Sequence, residues 1–128
     1  MITLQDSSGT EEQIWVRQLD RQITLYFENL IVAVTKTALC TIVTQPDLQE
    51  PVLYLPRGDV ISELAPNGAR ATCGIKGEAR YFDLLGVDGT IIVSNAAWSF
   101  PDPTAKAAQI RDLIAFDNRY FTFEDVPR

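Results

Sequence analysis

From Ile14 onward the chain alternates short stretches rich in Ile, Val, Thr, Tyr and Phe with polar breaks, a texture that suits half-buried strands better than helices. Ile23, Leu25 and Phe27 share one face of a period-two run, Glu28-Asn29 offers a turn, and Leu30 to Val34 returns. That spacing predicts a hairpin. Ala38 to Val43 reads as a further strand ended by Gln45-Pro46-Asp47, and Val52 to Leu55 as another closed by Pro56. Ala79 to Leu85 and Thr90 to Ser94 flank Val87-Asp88-Gly89, the clearest hairpin signal in the chain. Tyr120 to Phe123 adds a last short strand.

Two segments read as helical. Val60, Ile61 and Leu64 recur at helical spacing within Gly58 to Leu64, which predicts one or two turns stopped by Pro66-Asn67-Gly68. After Pro101-Asp102-Pro103, an apolar stripe of Ala105, Ala108, Ile110, Leu113, Ile114 and Phe116 predicts a helix from Thr104, its N-cap, to Phe116. The expected fold is therefore mostly β of the α+β kind, with antiparallel sheets and one substantial C-terminal helix. Residues 1–12 are polar and aperiodic and read as a loose leader before a single globular domain over 13–128.

Composition narrows the chemistry. With 46% apolar residues, a chain of 128 residues has enough material for one core. The net charge of −6 turns it away from phosphate backbones and anionic lipid, so neither nucleic acid nor membrane is an expected partner. Histidine is absent, which excludes Ser-His-Asp and Cys-His catalysis. Cys40 and Cys73 form no C-x-x-C, so no zinc site or thioredoxin-like dithiol is expected, and no other cofactor is implied. Few cysteines, a start without signal-peptide character and no long apolar run together read as a cytoplasmic protein.

Candidate chemistry gathers in a few places. Arg70, Lys76 and Arg80 are the densest basic neighbourhood of an acidic chain, although Gly68 to Gly77 fits no phosphate-loop spacing; they form either a solvated edge or a recognition patch. Cys73, three residues before Lys76, is either an activated thiol or a small buried hydrophobe, whereas Cys40 belongs to an apolar run and reads as core. Asp59 and Glu63 would share a face if their segment were helical, as an acid pair or simply as solvated charges. Trp98, where a strand meets a proline-rich turn, either walls a pocket or caps the core.

Three blocks also resemble a known family. Pro51-Val52-Leu53-Tyr54-Leu55-Pro56-Arg57-Gly58-Asp59-Val60 is similar to a P-x-Y-Y-x-P-R-x-D-V motif, Cys73-Gly74-Ile75-Lys76-Gly77-Glu78-Ala79-Arg80-Tyr81 to C-P-x-K-G-x-A-x-Y-Y, and Asn95-Ala96-Ala97-Trp98-Ser99-Phe100-Pro101-Asp102-Pro103 to N-A-A-W-x-Y-P-x-P. These motifs, in this order, characterise the domain of unknown function 427, also labelled nucleotidyltransferase-like. Gly74, Leu53, Phe82 and Phe100 depart from the pattern. The resemblance implies an antiparallel fold of the β-tent type with a concave site between sheets, in which Lys76, Tyr81 and Trp98 line a cleft and Tyr54, Arg57 and Asp59 lie nearby. The expected partner is a small polar or anionic ligand of unknown identity. Two alternatives stand beside it: an enzyme using Lys76 as base or nucleophile, and a protein interaction module. Nucleotidyl transfer would need carboxylates for Mg²⁺ and a Gly-Ser loop, and neither G-S nor D-x-D occurs.

Overall fold

The computed structural model describes residues 13–45 and 50–127. Among the described residues ten strands follow one another: β1 (Gln13–Gln18), β2 (Arg21–Phe27), β3 (Leu30–Thr35), β4 (Leu39–Gln45), β5 (Val52–Tyr54), β6 (Glu63–Cys73), β7 (Gly77–Leu85), β8 (Ile91–Ser99), β9 (Ala115–Phe116) and β10 (Thr122–Pro127). They form three antiparallel sheets, ordered β1-β4-β5, β10-β2-β3 and β6-β7-β8-β9. The expected hairpin is the β2–β3 pair, with Glu28 in the left-handed region at its turn. The Asp-Gly turn joins β7 to β8; there Asp88 accepts from the Thr90 N–H and Gly89 takes a positive φ. The expected leader lies outside the described residues.

The alternation that marks each strand also builds the core. Leu25 and Val32 of the β10-β2-β3 sheet and Leu84 of the β6-β7-β8-β9 sheet are all within 1% of full burial, as are Leu55 and Ile114 on the bridge beside β5 and β9, so the main cluster sits between those two sheets with half-buried Leu53 of β5 packed against it. A second cluster surrounds Tyr54, Phe100, Ala107 and Ile110. Isolated bridges tie the sheets together. Leu55 and Ile114 exchange both backbone hydrogen bonds at 2.8 Å, Ala33 meets Val60, and Gly77 meets Pro103.

The substantial C-terminal helix is not there. Among the described residues no helix reaches seven residues. Thr104 has a helix-start position but its hydroxyl donates to the Ile75 carbonyl instead of capping, and Ala105–Ile110 is a 3₁₀ segment kinked at Ala107. Asp112 then enters the left-handed region at φ 60°, which ends any helix. Beyond it Ile114 is claimed by Leu55 and Ala115–Phe116 by β8, so β pairing overrides the apolar stripe. The same happens after Gly58. A single 3₁₀ turn, Arg57–Asp59, is followed by the bridge of Val60 to Ala33 and then by β6, and Pro66-Asn67-Gly68 interrupts that strand's pairing instead of stopping a helix. Among the described residues no helix is long and apolar enough to cross a membrane.

Candidate functional site

Strand alternation sorts the candidate residues onto two faces of the β6-β7-β8-β9 sheet. On one face, Arg70 stands directly across from Arg80, and Arg80 across from Ser99, giving a row over β6, β7 and β8. The next row on that face is Pro66, Phe82 and Ala97. Arg57, at the start of the 3₁₀ turn, lays its guanidinium over the Phe82 ring, 4.9 Å from the centroid. Three arginines, Arg57, Arg70 and Arg80, therefore line one cavity of about 430 Å³, whose apolar walls include Pro66, Pro101 and Ile114. Glu78 serves both β arginines, at 3.1 Å to Arg80 and 3.9 Å to Arg70. Asp112 is a second carboxylate on the wall, and the Ser99 hydroxyl lies on a buried residue.

The turn carrying Arg57 is anchored from below. Thr35, itself buried, donates its hydroxyl to the Asp59 carboxylate at 2.7 Å, and the Ile61 N–H donates to the Val32 carbonyl at 2.7 Å. Asp59 thus faces β3 and a hollow lined by Lys36 and Thr37, away from the arginines. Glu63 is exposed on β6, so the two acids share no helical face.

The opposite face holds a different group. Tyr81 and Trp98 are cross-strand partners with rings 6.2 Å apart. Lys76, in the turn between β6 and β7, is only 7% exposed. Its Nζ donates to Tyr54 Oη at 2.9 Å and to Thr41 Oγ1 at 3.4 Å. No ion pair to it occurs among the described residues. Burial without a carboxylate pushes the amine pKa below that of an ordinary lysine, while the neighbouring Cys73 thiol pulls weakly the other way. Tyr54 is fully buried and its phenol is pushed up for the same reason, partly offset by hydrogen bonds from Trp98 and with Thr41. Trp98 also lines a second cavity of about 450 Å³ with Leu53, Phe116, Phe123, Glu50 and Asp117. Asp117 is held below the usual carboxylate range by hydrogen bonds from Arg119.

The six residues singled out in the sequence therefore occupy three places. Arg57 lines the arginine-lined cavity, Tyr81 borders it although its ring packs on Trp98 on the opposite face, Lys76, Tyr54 and Trp98 pack together behind it, and Asp59 braces the turn. Lys76 lines none of the three cavities described. Cys73 and Cys40 are half-buried free thiols, and burial raises the pKa of Cys40. Ser99 and the Arg70–Arg80 opposition were the part that a linear reading missed, since only the strand register reveals them. No group of three or more His, Cys, Asp or Glu side chains is placed to hold a metal ion among the described residues. A comparison with curated proteins finds no match for the chain. With its three blocks on β5 and the turn after it, on the β6–β7 hairpin and on β8, and with the family profile matching residues 15–126, the chain belongs to the domain of unknown function family DUF427.

Proposed function

We propose that the protein binds a small anionic ligand, bearing a phosphate or carboxylate group, on the Arg70–Arg80–Ser99 row with Arg57 as the facing wall. The observation that carries this reading is the cross-strand arginine pair. Like charges placed directly opposite destabilise a sheet, and a chain of net charge −6 has acids in excess for that position. Two carboxylates, Glu78 and Asp112, leave the three guanidiniums in positive excess. An oxyanion between the planar forks replaces their repulsion with charge-assisted hydrogen bonds. The cavity volume suits a small organic molecule, with Pro66, Pro101 and Ile114 offering contact to its carbon body.

Titration of inorganic pyrophosphate into the intact protein at low ionic strength tests the reading. Arg70→Gln and Arg80→Gln are each expected to weaken binding about tenfold, because one charge-assisted contact at a half-exposed rim is lost. Both variants should stay within about 0.5 kcal/mol of the parent in stability, since each relieves a like-charge contact as it loses the Glu78 pair. An Arg70→Gln/Arg80→Gln double variant that binds as tightly as the parent overturns the proposal.

The alternative with Lys76 as base or nucleophile draws on its lowered amine pKa and its contact with Tyr54. It ranks second because the amine is buried and faces none of the cavities described.

A further inference from the structure

Strand β6 pairs with β7 in two registers. From Glu63↔Leu85 to Pro66↔Phe82 it follows one, and from Arg70↔Arg80 to Cys73↔Gly77 another. Between them Asn67, Gly68 and Ala69 face the single residue Tyr81. Continued without interruption, the first register would set Arg70 opposite Glu78, an ordinary salt-bridged pair. The even offset keeps every side chain on its face but turns the Arg–Glu opposition into Arg–Arg.

Each register is fixed from its own end. Leu64, Phe82 and Leu84 hold the first in the core. The hairpin end is held by the Thr104 N–H on the Lys76 carbonyl at 3.0 Å, the Thr104 hydroxyl on the Ile75 carbonyl, and the Lys76 amine on Tyr54. The mismatch falls on Asn67. Its Nδ2 donates to Asp83 Oδ1 at 2.7 Å and to Asn95 Oδ1 at 2.6 Å, while its Oδ1 accepts from the Ala69 N–H at 2.8 Å. Asp83, only 8% exposed, also accepts from the Asn95 N–H at 2.9 Å. Asn95 sits in the left-handed region at φ 52°, opposite an irregularity of β7. Three side chains on three adjacent strands thus close around one bulge, whose Gly68 and Ala69 form part of the cavity wall.

We infer that Asn67, clamped by Asp83 and Asn95, is a positioning residue of the anion site, holding Arg70 opposite Arg80 by absorbing the register mismatch. This rests on the anion-binding reading above. Asn67 itself touches no ligand in this scheme; it acts through Arg70.

The experiment is calorimetric titration of inorganic pyrophosphate into the full chain at low ionic strength, with thermal melts run alongside. Asn67→Ala is expected to bind about tenfold more weakly, yet to weaken binding by less than about twofold when Arg70→Gln is already present, because coupled residues are non-additive. Asp83→Asn keeps an amide oxygen for both incoming N–H groups and should stay within about twofold of the parent, whereas Asp83→Ala should not. Asn95→Gly retains the left-handed backbone and loses only one acceptor, so it serves if Asn67→Ala fails to fold, with an expected loss of about threefold. Parent-like affinity in folded Asn67→Ala or in Asn95→Gly overturns the clamp, as does an Asn67→Ala loss undiminished in the Arg70→Gln background. A parent protein that ignores pyrophosphate overturns the anion site and the clamp together; one whose binding falls with Arg70→Gln but not with Asn67→Ala or Asn95→Gly overturns the clamp alone.

Discussion

Replacing Gly77 with alanine is expected to destabilise the fold by about 2–4 kcal/mol, adding left-handed backbone strain to a steric clash. Gly77 has φ +115°, and a Cβ there would lie 3.1 Å from the Asp102 carbonyl oxygen and 3.3 Å from Pro103 Cα. Both obstacles are backbone, and Pro103 is bridged to Gly77, so neither can swing aside. Thermal unfolding should fall by about 10 °C for a domain of this size. Gly58 is the control: a Cβ there meets nothing within 4 Å and its φ is not positive, so Gly58→Ala should be neutral or slightly stabilising. A Gly77→Ala variant that melts with the parent would mean that the turn relaxes freely. The substitution should also weaken pyrophosphate binding, because this turn fixes the register that sets Arg70 against Arg80.

What the chain discloses by itself depends on range. Strands whose partners are near in sequence were legible: β2 with β3 through Glu28-Asn29, and β7 with β8 through Asp88-Gly89, because alternation and turn chemistry are both local. The segment after Thr104 misleads because its apolar positions at helical spacing serve different partners. Ala105 and Ala108 are exposed, Ile110 is buried by a 3₁₀ segment, Ile114 pairs with Leu55, and Phe116 pairs with Ala97. Such long-range pairing leaves no trace in a window of that length. The site was half legible for the same reason. Arg80 next to Tyr81, and Trp98 next to Ser99, are neighbours in the chain but point to opposite faces of the sheet, so a motif read along the sequence merges two environments. Arg57 and Tyr81 border the cavity, but the Arg70–Arg80–Ser99 row appears only once a two-residue register offset is known. In the sequence Asn67 reads as part of a helix stop; in the fold its amide is the pin of a bulge.

Lys76→Met is expected to raise stability at neutral pH by about 1–3 kcal/mol, since replacing a buried charge by an apolar side chain of similar volume removes a desolvation penalty. Lys76 is 7% exposed and its ammonium is bonded to two neutral hydroxyls, with no carboxylate to offset its burial among the described residues. Methionine fills the stem's volume, and Tyr54 Oη keeps its contacts with Trp98 and Thr41. The pH dependence separates this account from simple repacking. The folded-state pKa of Lys76 is lowered, so between that value and the ordinary lysine value of about 10.4 the unfolded chain binds more protons than the folded one. Parental stability therefore rises with pH through that window relative to the variant. The variant's advantage is complete below the folded-state pKa, shrinks as pH rises, and vanishes above about 10.4. Urea unfolding of both proteins from pH 6 to 10.5 makes the comparison. A difference that stays constant across that range would mean that the amine is as well solvated in the folded protein as in the unfolded chain, and a variant that unfolds at every pH would mean that the hydrogen bonds to Tyr54 and Thr41 outweigh the buried charge.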